Sequence, residues 1–211
     1  LEPQFTDVTG GEIRLGTAVT PASQTFMASI SAALWNLSVD GTTNVKTVQL
    51  INNPIVVQRN LSVEGSSIFN ANGYNVNIGG NLNNANPSIT KGTPSNMYGG
   101  YRAGTTAAQI ASQVTTFNGT NAQTITGLTG NLTNFGNLVV NNSNPGGLNL
   151  ASNSNIAVIG TLTVQNGNIN GGTNNITVDG NIENSFNIVN TSPGFFICGS
   201  AFSAVQTING N

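Results

Sequence analysis

The sequence predicts an all-β chain wound as a parallel β-helix, a β-solenoid with coils of about 20–24 residues and one loop excursion. Three observations predict it. Apolar-x-apolar triplets recur at short intervals: Leu138-Val139-Val140, Leu148-Asn149-Leu150, Ile156-Ala157-Val158, Leu162-Thr163-Val164 and Ile176-Thr177-Val178. The same set stands about a hundred residues earlier as Leu37-Ser38-Val39, Val48-Gln49-Leu50, Ile55-Val56-Val57, Leu61-Ser62-Val63 and Val76-Asn77-Ile78. Only 6% of the residues are charged, where a soluble protein averages about a quarter.

Each observation has a physical basis. Period-two alternation places two side chains of each triplet on one face of a strand. Asn and Gly at the joints tolerate the left-handed backbone that tight corners need. Stacked coils lie about 4.8 Å apart, and like charges at that spacing repel by about 3.5 kcal/mol at an effective dielectric of 20. Asn and Thr stack without that cost. Asn is the commonest residue, with 36 copies against 26 Gly and 25 Thr.

Taken in order, residues 1–23 read as the end of a preceding unit. Residues 24–122 form repeat unit 1, with a loop excursion at 85–114 where Pro87, Pro94, Gly99 and Gly100 break the rhythm. Ala107–Val114 suits one helical turn or a strand. Residues 123–205 form repeat unit 2, and 206–211 begin a third, all in one continuous solenoid over 1–211. A Gln-Thr-apolar signature marks the repeats at Gln24, Gln123 and Gln206. The expected core is Trp35, Leu37, Val39, Leu61, Val63, Val76 and Ile78 in unit 1. In unit 2 it is Phe135, Leu138, Val140, Leu162, Val164, Ile176 and Val178, with Trp35 and Phe135 as equivalents. Ten or so rungs make a rod about 45 Å long. The chain opens Leu1-Glu2-Pro3 and closes without a cap, which predicts a removed leader or excised segment and neighbours packed end-on: further repeats or other copies.

Composition excludes several functions. A net charge of −2 with no basic cluster offers nucleic acid no electrostatic footprint. No apolar run reaches the eighteen or so residues of a membrane span. The absence of histidine removes Ser-His-Asp and Cys-His nucleophiles and the common zinc motifs. No catalytic residue, metal site or cofactor is expected. The carboxylates Asp40, Glu64, Asp179 and Glu183 align with Asn141, Gln165, Gly79 and Asn83 in the other copy, so they read as turn acids rather than as a catalytic pair. Cys198, among Phe195, Phe196 and Ile197, reads as a buried filler. The candidate ligand or partner contact is Tyr98, Tyr101 and Arg102 in the excursion, aromatics beside a cation.

The run Phe117-Asn118-Gly119, Gln123-Thr124-Ile125, Phe135-x-Asn137-Leu138-x-Val140-Asn141-Asn142, Gly160-Thr161-Leu162-x-Val164 and Ile176-x-Val178-x-Gly180-Asn181 resembles the Asn/Gly/Thr-rich repeats of very large secreted surface proteins of Bacteroidota-type bacteria. The resemblance covers roughly residues 24–211. It implies a β-helical stalk secreted to the cell surface and serving adhesion, gliding, or filament and matrix formation; the sequence reads as departing from the full family pattern in lacking a secretion or anchoring domain. The expected function is a structural, non-enzymatic extracellular segment: stalk, filament subunit or adhesin shaft. The alternatives are a carbohydrate-binding β-helix module meeting surface glycans or matrix, and a polysaccharide lyase or hydrolase using Asp40 or Asp179.

Overall fold

A computed structural model of the chain describes residues 10–128, 131–190, 193–198 and 208–210, with Asn190 and 208–210 as backbone only. It is a β-solenoid of eight coils with three parallel faces. Coil one holds β1 (Glu12–Leu15) and β2 (Gln24–Ala28). Coil two holds β3 (Asn36–Val39), β4 (Lys46–Leu50) and β5 (Ile55–Val57). Coil three holds β6 (Leu61–Val63), β7 (Ile68–Asn70) and β8 (Val76–Ile78). Coil four holds β9 (Leu82–Asn84), β10 (Tyr101–Arg102), helix α1 (Ala107–Ser112) and β11 (Val114–Phe117). Coils five and six hold β12 (Gln123–Thr126), β13 (Asn131–Phe135), β14 (Asn137–Asn141), β15 (Leu148–Leu150), β16 (Ser154–Val158) and β17 (Leu162–Asn166). The last two hold β18 (Ile169–Gly172), β19 (Ile176–Val178), β20 (Ile182–Asn184), β21 (Ile188–Asn190), β22 (Phe196–Cys198) and β23 (Ile208–Gly210).

Face one runs β1-β3-β6-β9-β12-β15-β18-β21. Face two runs β2-β4-β7-β10 and then β13-β16-β19-β22. Face three runs β5-β8-β11-β14-β17-β20-β23. Eight coils at about 4.8 Å span about 34 Å, shorter than the rod expected from sequence, because coil four spends its extra residues on the excursion.

The inward columns are the predicted triplets. Leu37, Leu61 and Leu82 lie in register, as do Val39 and Val63. Leu138, Leu162 and Ile182 repeat the pattern on face three. Leu37, Val39, Leu61, Val63, Val76, Ile78, Phe135, Leu138, Val140, Leu162, Val164, Ile176 and Val178 are all fully buried. Aromatics fill the middle of the stack: Phe69 and Tyr101 are 5.8 Å apart, Tyr101 and Phe135 5.5 Å, and Phe117 and Phe135 6.4 Å.

Trp35 is a correction. Leu34, not Trp35, bridges Val57, as Phe135 pairs Val158 in the second copy. The constant offset of 101 that joins Leu37 to Leu138 also joins Leu34 to Phe135. Leu34 is the buried equivalent, and Trp35 sits half-buried on the outside of the corner, where Gly136 stands in unit 2.

The repeat is out of step with the coil. With Leu34 counted as a strand position, β3 to β9 recur as β14 to β20, eleven strands on, and three faces do not divide eleven. Unit 2 is therefore turned by one face: the sequence of face one in unit 1 reappears on face three. An aliphatic interior accepts this because Leu, Ile and Val pack alike behind any face.

Asparagine ladders bind coil to coil at the corners. Asn36 Oδ1 accepts from the Asn60 backbone N–H (3.0 Å), Asn60 Oδ1 from Asn81 N–H (2.9 Å), and Asn81 Oδ1 from Thr124 N–H (2.8 Å). Asn155 and Asn175 repeat the device, accepting from Asn175 N–H and Phe195 N–H. Each amide satisfies a backbone donor that the corner would otherwise leave unpaired. Gln123 is a fully committed amide. It donates to the Ile78 and Gly80 carbonyls and accepts from Gly119 N–H and Asn142 Nδ2, filling its whole hydrogen-bonding capacity while buried. Gln24, its unit 1 counterpart, lies exposed on β2, the edge strand of face two. Gln206 lies outside the described residues.

Asn84 breaks the apolar rule. It occupies the inward position that Val63 holds one coil earlier and donates to Thr133 Oγ1 at 3.1 Å, but its Oδ1 has no partner. A buried unmatched acceptor costs about 1–3 kcal/mol. The double variant Asn84→Val/Thr133→Val is expected to raise stability by about 1 kcal/mol, read as a higher urea midpoint. A lower midpoint would overturn this account of the amide.

Candidate functional site

The excursion does not project. It runs forward along the rod, from coil four toward coil seven, as a strap over the outer side of face two. Face two is interrupted between β10 and β13, and Ser88 fills the gap with an antiparallel bridge, its N–H donating to the Leu132 carbonyl (3.0 Å) and its carbonyl accepting from Leu132 N–H (2.7 Å). Farther along, Asn134 Oδ1 accepts from Gly92 N–H at 2.8 Å, and its Nδ2 donates to the Thr90 and Tyr98 carbonyls. Met97 packs with Ala103, Ile110 and Ile159 in a second apolar cluster outside the main core. Lys91 Nζ then reaches Asp179 Oδ1 and Oδ2 at 2.6 and 2.7 Å. The Asp179 side chain is 2% exposed and that of Lys91 33%.

Helix α1 closes the other side of the strap. Thr106 and Gln109 form a capping box, which decides the question the 107–114 pattern left open. Gln109 Nε2 donates to Asn72 Oδ1 at 2.6 Å, tying the helix to the corner of coil three.

The candidate contact formed by Tyr98, Tyr101 and Arg102 is corrected at Tyr101. Tyr101 is fully buried in the aromatic stack, its hydroxyl 2.7 Å from Thr115 Oγ1, and burial pushes its phenol pKa well above 10. Alternation across β10 places Tyr101 inside and Arg102 outside. Arg102 is half-buried and donates from Nε to the Gly99 carbonyl at 2.7 Å. Tyr98 is also half-buried, its hydroxyl accepting from Asn96 Nδ2. Tyr101 is thus withdrawn from the surface, while Tyr98 and Arg102 stay half-buried.

The acids are less scattered than their turns suggested. Glu12, Asp40 and Glu64 come from three successive coils and converge on Arg14. The guanidinium donates to both Glu64 oxygens and lies 3.5 Å from Asp40 and 3.8 Å from Glu12. Ser38 donates to Glu12, and Lys46 packs fully buried nearby with its Nζ donating to the Asn44 carbonyl. Asp40 and Glu64 sit one above the other because the turns Asp40-Gly41 and Glu64-Gly65 stack tightly. A Cβ on Gly65, at φ +56°, would lie 2.1 Å from the Gly41 carbonyl oxygen. Two carboxylates at coil spacing repel, and Arg14 offsets that repulsion.

Asp40 accepts from Thr42 N–H (3.0 Å) and Thr42 Oγ1 (2.8 Å), and these bonds, with Arg14 and Lys46 nearby, hold its pKa below the usual carboxylate range. A lowered folded-state pKa contributes stability that is complete above about pH 4 and is lost as the pH falls through the folded value. Melting temperature is expected to drop on acidification from about pH 5 to about pH 2.5, and to drop less in Asp40→Asn, which keeps an acceptor for Thr42. An equal drop in both would show that Asp40 carries none of the acid sensitivity. A carboxyl held ionised this way does not suit a general acid.

Cys198 is also corrected. It follows Val178 in the inward column but lies on β22, the last strand of face two, and is exposed; partial burial still pushes its thiol pKa up. Among the described residues no group of three or more Cys, Asp or Glu side chains has a metal-binding arrangement, and no helix is long and apolar enough to cross a membrane.

Comparison with protein-family models, with curated proteins and with solved structures returns no match.

Proposed function

We propose that the chain is a structural segment of an extracellular bacterial surface protein, a stalk, filament subunit or adhesin shaft, and not an enzyme. The observation that supports this reading most is where the charged groups go. Arg14 holds three carboxylates, Lys91 holds Asp179, and Lys46 and Arg102 are bound to backbone carbonyls. Arg14 and Lys91 fasten coils to one another, Lys46 and Arg102 brace corners within their own coil, and the fastened coils form a rod. Mechanically, a pull along the rod loads the ladders of faces one and three throughout and that of face two on either side of its break between β10 and β13. The repeat passes from unit 1 to unit 2 without a change of coil, so another repeat or copy stacked end-on is the partner that suits the edge strands of each face.

Antibody labelling of intact source cells, with loss of the epitope on external protease treatment, is the expected result. Confinement to the cytosolic fraction would sink the surface assignment. Turnover of any acidic or neutral polysaccharide by the purified chain, abolished in Asp40→Asn or Asp179→Asn, would sink the non-enzymatic one.

A further inference from the structure

Arg59 is the exception to the pattern of bound charges. Among the described residues it is the one cation held by neither a carboxylate nor a carbonyl, and its guanidinium carbon lies 4.8 Å over the Trp35 ring. Arg59 is exposed and Trp35 half-buried, on the corner between faces three and one. The pair is built into the ladder, since Arg59 N–H donates to the Trp35 carbonyl at 2.8 Å. On the next coil the corner is Gly79-Gly80, where a Cβ on Gly80 would meet the Arg59 carbonyl carbon at 2.6 Å. No side chain therefore rises beside the guanidinium on that flank.

The asparagine ladder runs alongside. Asn60 and Asn81 are exposed, and both commit Oδ1 to a backbone N–H of the following coil. With each Oδ1 committed along the rod axis, the Nδ2 groups of these two exposed side chains have no partner among the described residues and remain available as donors, one coil from the next. The corner thus offers an aromatic ring, a planar cation with several N–H groups and a row of amide donors along the rod, with no carboxylate paired to the cation.

We propose that this corner binds an acidic polysaccharide, a uronate-bearing chain lying along the rod axis. A uronate carboxylate matches the guanidinium fork, sugar hydroxyl oxygens accept from the Asn60 and Asn81 amides, and a sugar face packs on the exposed part of the indole. In unit 2 the equivalents of Trp35 and Arg59 are Gly136 and Gly160, so the site belongs to unit 1 alone. It is independent of whether the rod is a stalk.

Trp35 is the sole tryptophan, so its fluorescence reports this corner and no other. The intact chain is titrated with polygalacturonate, with neutral dextran and with poly-glutamate. A saturable change in Trp35 emission with polygalacturonate alone, weakened about tenfold or more in Arg59→Gln and less in Arg59→Lys, supports the proposal, provided both variants keep the wild-type circular dichroism. No response to polygalacturonate overturns it. An equal response to poly-glutamate overturns the sugar assignment in favour of an acidic peptide. Undiminished binding in folded Arg59→Gln moves the ligand elsewhere.

Discussion

Lys91→Met is expected to free the strap, raising the rate of proteolysis within residues 92–100 about a hundredfold while leaving the coils intact. Among the described residues, Lys91 is the hydrogen-bonding and charge partner of the nearly buried Asp179 carboxylate. Removing one member of a buried pair costs about 3–5 kcal/mol, because the remaining charge is left without compensation. Lys91 is one-third exposed, so about 3 kcal/mol is the apt figure. The chain escapes that cost by lifting the strap and letting water reach Asp179, which is why the loss is local. Proteinase K digestion followed by mass spectrometry reads it. The double variant Lys91→Met/Asp179→Asn is expected to recover most of the protection, since the buried charge is gone. Uniform cleavage throughout the coils would show that the pair supports the whole rod instead.

The coil itself was legible in the sequence because an inward column demands an aliphatic residue at each step, and period two announces which residues those are. Leu61 and Leu162 both point inward and are fully buried. The turn of one face between copies left no trace in the triplets, since the interior is equally aliphatic behind all three faces. Trp35 misled through a one-residue slip: corner residues on either side of a buried position are free to be large, and only strict offset identifies Leu34 as the partner of Phe135.

The strap site is marked in the sequence by the opposite signal, a loss of recurrence. Recurrence marks the coil, so departures from it mark whatever is added to the coil. Ala33, Val56, Gln58 and Gly79 of unit 1 become Asn134, Ala157, Ile159 and Asp179 in unit 2. Asn134, Ile159 and Asp179 are the strap's anchors, and Ala157 is fully buried where Val56 is 40% exposed. Asp179 reads as a turn acid because it does not recur, yet that is the property an anchor unique to one copy must have. The carboxylates around Arg14 were lost in the same way. Three residues spaced by a coil length look unrelated along the chain, and only the winding brings them together.

Phe135→Ala is expected to be the most damaging single truncation of the core, costing about 3–5 kcal/mol and visible as a lower urea midpoint. Phe135 touches Tyr101 and Phe117 at once, beside the gap in face two between β10 and β13. Backbone ladder is missing there, so the aromatic stack carries more of the coupling between coils four and five than side chains do elsewhere. The cavity would leave the buried Tyr101 ring without its neighbour toward unit 2. In a solenoid, stability sums units and the interfaces between them, and weakening one interface separates the transitions of the two sides. The expected signature is therefore a broadened or biphasic urea curve in Phe135→Ala. Leu162→Ala, which lies in a continuous column between Leu138 and Ile182, should lower the midpoint by about 2–5 kcal/mol of stability and keep a single transition. If both variants unfold in one sharp step, the break in face two is no weaker than the rest of the rod, and the stack is ordinary filling.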